Sequence, residues 1–73
     1  MKIEICTAVV EGFVSSVGFR FDDGLILVTW EKLVWLGKEK KAKTIAQIYA
    51  LIAEFKARGF EVVGEAKLEE ALQ

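Results

Sequence analysis

A chain of 73 residues with 10 basic and 11 acidic side chains, net charge -1, is one small domain (1–73) that overall charge does not draw to nucleic acid or acidic lipid. It has no histidine and one cysteine, which removes Ser-His-Asp and Cys-His catalysis, the usual zinc ligand sets and an internal disulfide. Hydrophobic residues make up 53% of a chain close to the size at which a single core barely suffices, so the composition predicts apolar surface left over for a partner.

Residues 2–10 alternate as a half-buried strand, with Ile3, Ile5, Thr7 and Val9 on one side and Lys2, Glu4, Cys6 and Ala8 on the other. Glu11-Gly12 turns the chain into a second alternating strand, 13–21. A two-residue loop there would set Glu4 opposite Phe19. A three-residue loop with Gly12 as the bulge residue sets Val9 opposite Phe13, Ile5 opposite Val17 and Ile3 opposite Phe19, and the sequence favours it because it gathers the large apolar groups on one face. The other face then carries Lys2, Glu4, Cys6, Ser16, Gly18 and Arg20, with Ala8 and Val14 among them. Asp22-Asp23-Gly24 is a hairpin signal, and a two-residue Asp23-Gly24 turn would send Ile26, Val28 and Trp30 of the apolar run 25–30 to the core side. Residues 31–37 fit either a short helix or a further strand, and Trp35 and Val34 tilt the expectation to strand. Residues 38–43 read as a charged loop with four lysines.

The stretch 44–64 is the organising one. Thr44 with Gln47 forms a capping-box signature at the start of a helix, and Gly59, with Arg58 before it and Phe60 after it, marks a Schellman-type end. Ile45, Ile48, Tyr49, Ile52 and Phe55 fall on one arc that should lie on the sheet, while Ala46, Ala50, Ala53 and Ala57 form a second stripe beside it. Residues 60–63 return as a strand, parallel to the first strand or to the one before the helix. Residues 65–73 resemble a short helix with Leu68, Ala71 and Leu72 on one side. The fold class expected is α+β: an antiparallel β-meander of three or four strands packed on one long α-helix, then a short strand and a short C-terminal helix.

Little catalytic chemistry is available. Cys6, mid-strand between Ile5 and Thr7, reads as a structural thiol, and Ser15-Ser16 as small strand residues without a neighbouring base. Asp22-Asp23 is explained by its turn. No glycine-rich phosphate loop is present, and no cofactor or metal is expected. Two surfaces remain. The alanine stripe Ala46, Ala50, Ala53 and Ala57 would let another helix approach closely, either the terminal helix or a second copy. Lys38, Lys40, Lys41 and Lys43 beside Trp35 could contact phosphates and stack on a base. The sequence therefore predicts a non-catalytic interaction module that forms a homodimer, through the helix or the apolar second face of the sheet, and binds a further protein, with nucleic-acid binding through the lysine segment as the alternative. With Glu4 interrupting the N-terminus and no apolar run near the ~20 residues that span a bilayer, a cytoplasmic protein with no membrane partner is expected.

Overall fold

The computed structural model describes residues 1–24, 26–30 and 33–72, and for 26–30 and 34 the backbone alone. Strands β1 (Lys2–Val10) and β2 (Phe13–Phe21) form an antiparallel hairpin, and β3 (Ile26–Trp30) pairs antiparallel with β2. A single 3-10 turn, Leu33–Trp35, leads to α1 (Lys38–Ala57), β4 (Glu61–Val63) and α2 (Glu65–Leu72). β4 lies parallel to β1, so the sheet order is β3-β2-β1-β4 and the sheet is mixed rather than a purely antiparallel meander. Where a fourth strand was expected before the helix, the chain makes the 3-10 turn. Leu33 is fully buried and its carbonyl accepts from the Leu36 N–H at 3.2 Å, so a tight turn seats one leucine in the core while the chain reverses into α1.

The two hairpin loops exchange the types the sequence suggested. Glu11 (φ 51) and Gly12 (φ 81) are both left-handed and Val10 pairs with Phe13, which is a two-residue type I′ turn. The conflict that argued against this loop is resolved inside the ladder. Ala8 pairs with Ser16 but Val9 with Val14, so Ser15 is an extra residue on β2, and beyond this bulge Thr7 meets Val17, Ile5 meets Phe19 and Ile3 meets Phe21. At the second loop, Gly24 (φ 86) donates its N–H to the Phe21 carbonyl at 3.0 Å, and Arg20 pairs with Ile26 and Phe19 with Leu27. This is one residue away from the pairing expected. Which face the side chains of 26–30 present lies outside the described residues.

The core joins the inner face of the sheet to both helices. Ile3, Ile5, Val17 and Phe19 pack with Ile48, Ile52 and Phe55 of α1, with Leu33 and with Leu68 of α2. Val14, expected on the outer face, is buried too, because the Ser15 bulge changes the alternation of β2. α2 has only two turns and would be marginal alone; full burial of Leu68 contributes about 2 kcal/mol towards holding it. No helix among the described residues is long and apolar enough to cross a membrane.

α1 begins seven residues earlier than a cap at Thr44 would have it. Lysine, glutamate and alanine are good helix formers, so 38–43 continues the helix rather than forming a loop, and Gly37 occupies the N-cap position without a side-chain cap. Thr44 is then internal and buried, its hydroxyl donating to the Lys40 carbonyl one turn back at 2.9 Å. The other end follows the sequence closely. Gly59 (φ 93) donates to Lys56 O at 3.0 Å, Phe60 N–H donates to Phe55 O at 3.1 Å, and the Phe55 and Phe60 rings touch edge to face, which together make a Schellman motif with its apolar contact.

Gly64 (φ 96) turns the chain from β4 into α2 against β1, where an added Cβ would lie 3.1 Å from the Ile5 carbonyl oxygen; around Gly59 the space is open. Gly59→Ala should therefore cost about 1 kcal/mol from the left-handed backbone alone, and Gly64→Ala clearly more, measured as urea midpoints. Tyr49 is a second reporter of this packing. Partial burial, then the nearby carboxylates of Glu69 and Glu65 on α2, raise its phenol above the ordinary value of about 10. The folded state thus holds this proton more tightly, so its stabilising contribution is intact below about pH 10 and disappears as pH rises through the raised value. Phenolate absorbance should show a midpoint above 10 that Glu69→Gln lowers and unfolding lowers further.

Candidate interaction surface

The molecule measures 34 × 20 × 18 Å, and its long axis matches both the 9-residue strands and the 20-residue helix, each about 30 Å long. Its two ends differ. At one end, Met1, Phe21, Asp22 and Phe60 surround a cavity of about 340 Å³, the Glu61 N–H donates to the Met1 carbonyl at 2.9 Å, and Asp22 accepts from the Lys2 N–H at 2.8 Å. The Asp22 carboxylate is thus engaged in tying the hairpin loop to β1, and no group of three or more acidic or cysteine side chains that could hold a metal occurs among the described residues.

Apart from Met1 at the first end, the large exposed apolar residues among those described gather at the other end. Val9, Val10 and Phe13 at the β1–β2 tip are 55%, 48% and 59% exposed, and Trp35, just before α1, is 77% exposed. Along the outer half of β1, Thr7, Ala8, Val9 and Val10 are all exposed, so both faces of the strand project beyond the helices. β4 pairs only with Lys2, Ile3 and Glu4, and among the described residues no strand pairs with the outward edge of β1 from Cys6 to Val10. The sequence signal for this tip was the Glu11-Gly12 pair itself: a two-residue turn there sets Val10 opposite Phe13, out of phase with the core residues.

The lysines lie on the first two turns of α1, not on a loop. At 100° per residue they are spread around the helix axis rather than aligned on one face. Lys41 points to the sheet side and its Nζ lies 5.7 Å from the Phe13 ring centroid, a cation–π contact. Lys38, Lys40 and Lys43 line a shallow depression with Gly37 and Glu39, on the helix end where the dipole is positive. Trp35 is exposed next to them and not part of the core.

Ala46, Ala50, Ala53 and Ala57 are all exposed. Taking the buried residues Thr44, Ile48, Ile52 and Phe55 as the sheet-facing side, the stripe points almost directly away from the sheet. α2 does not fold back onto it; Leu68 goes into the sheet-side core.

On the outer face of the sheet, Arg20 bridges Glu4 at 2.8 Å and donates to the Cys6 sulfur at 3.6 Å. The hydrogen bond to Cys6 and the charge of Glu4 raise the guanidinium above its ordinary value. Cys6 is half-buried and its thiol is occupied by this small cluster. The group is exposed and contributes little to stability. No family model, curated protein or solved structure matches this chain.

Proposed function

We propose that the protein is a small non-catalytic interaction module that associates with itself and with another macromolecule through the exposed end of the β1–β2 hairpin. The observation that carries this is the concentration of Val9, Val10, Phe13 and Trp35 at one end of the molecule, next to a strand edge that no strand pairs with among the described residues. Isolated exposed apolar residues are ordinary; four at one end, on a chain short of core, make a surface whose burial would be favourable. The alanine stripe supports the reading less, because exposed alanine on a helix needs no partner to explain it.

A second reading is favoured by one observation, the exposure of Trp35 beside the lysine-bearing end of α1. An indole in that position can stack on a base while Lys38, Lys40 and Lys43 neutralise phosphates. It competes with the scatter of the lysines around the helix and the engagement of Lys41 with Phe13.

Sedimentation velocity across micromolar concentrations separates the first reading from a strict monomer, which would remove it. In the same preparation, single-stranded nucleic acid at low salt should leave mobility unchanged if association is through protein alone. A shift that weakens steeply with salt and is lost in Lys40→Glu/Lys41→Glu would instead establish the second reading.

A further inference from the structure

Resting on the self-association reading, we propose that a second copy docks on the free edge of β1, the two strands pairing antiparallel about a two-fold axis at Ala8. An open edge offers backbone donors and acceptors that only another strand satisfies in register, and chains normally protect such edges with lysine, proline or a covering element. Cys6-Thr7-Ala8-Val9-Val10 holds no lysine or proline, and among the described residues no strand pairs with this edge; the turn from β4 into α2 comes beside Cys6 and Thr7. Five residues of β1 are free, and Ala8 is the one centre that matches all five with their counterparts: Cys6 faces Val10 of the second copy, Thr7 faces Val9, and Ala8 faces Ala8. No like charges meet. The pairing ends there, since Glu4 is already paired with Val63 and Gly64 packs against Ile5, which leaves the Glu11-Gly12 tip of the second copy beside the turn from β4 into α2.

The same register supplies a charge pair. Where β4 ends and Gly64 turns away, a crevice of about 510 Å³ opens beside Ile5, Cys6 and Thr7, with Lys67 on its wall. The Glu11-Gly12 tip of the second copy arrives at this position. The ion pairs among the described residues join Glu4 to Arg20, Lys56 to Glu65 and Glu54 to Arg58, so the other carboxylate lining the crevice, Glu4, is already matched and Lys67 is available to Glu11. The pairing also gives a use to an unusual backbone: Glu11 holds φ 51 in a turn position that asparagine, aspartate or glycine fill more easily. By symmetry the contact forms twice.

Cysteine placement tests the register. Val10→Cys, with the native Cys6 retained, should oxidise to a covalent dimer on a non-reducing gel. Wild type and Val10→Cys/Cys6→Ser should not, because identical positions stand four residues out of register, about 14 Å apart. Glu11→Lys and Lys67→Glu should each weaken association by roughly tenfold, and the double exchange should restore it. Val10, Glu11 and Lys67 are exposed, so circular dichroism should show these variants folded. A dimer by sedimentation that cross-links in none or in all of the cysteine variants overturns the β1 edge and leaves self-association standing. A strict monomer overturns both.

Discussion

Phe55 is where helix, sheet and return strand are fastened together. Its ring meets Phe19 at 5.3 Å and Phe21 at 5.9 Å on β2, and Phe60 at 5.9 Å on the way into β4, each edge to face. Such pairs contribute about 0.5–1.5 kcal/mol beyond the area they bury, a sizeable share of what a domain this small has in total. The Schellman motif makes the arrangement possible, since the reversal at Gly59 is what carries Phe60 back over the last turn of α1. With that reversal fixed, β4 has one short path to the edge of β1, and Gly64 then delivers Leu68 into the same core.

This concentration of contacts leaves the molecule asymmetric. The end holding the N-terminus, the β2–β3 loop and Phe60 is cross-linked by aromatic contacts and by backbone bonds to Met1 and Lys2. The opposite end has the hairpin tip, the exposed indole of Trp35 and an α1 N-terminus with no side-chain cap and four lysines near the positive pole of the helix dipole. That is an unfavourable place for lysine. Lys41 relieves part of it by lying over Phe13, and the remaining positive charge is exposed next to apolar side chains.

What the sequence disclosed depended on how local the deciding physics was. The Schellman end, the sheet-facing arc of α1, the terminal helix and the glycine turns are set within a few residues, and they could be recognised from Gly59, Phe60, Leu68 and the turn pairs. The start of α1 could not, because Thr44 has two equivalent uses for its hydroxyl: it can cap a helix that begins there or bond one turn back within a helix that began earlier. Only the burial of Thr44 distinguishes them. The 3-10 turn at Leu33–Trp35 was equally hidden, since the same LVW run fits a strand and is diverted by the need to seat Leu33. The exposed tip was missed for a related reason, a register that no single loop could explain.

That register links the fold to the surface. The type I′ turn at Glu11-Gly12 sets one pairing and the core sets another, in which Ile5 faces Phe19. Without an adjustment, one of them would force Glu4 opposite Phe19. The Ser15 bulge absorbs the difference of one residue, and its cost is that alternation on β2 changes phase: Val14 turns inward while Phe13 joins its partner Val10 on the outer side. An aromatic that unbroken alternation would place on the helix-facing side is therefore held on the surface beside Val10 by backbone geometry. Val10 ends the strand whose outward edge, from Cys6 on, no strand pairs with among the described residues. A three-residue loop without the bulge would have set Phe13 opposite Val9 on the helix-facing side of the sheet; the turn through left-handed Glu11 and the Ser15 bulge set it opposite Val10 instead.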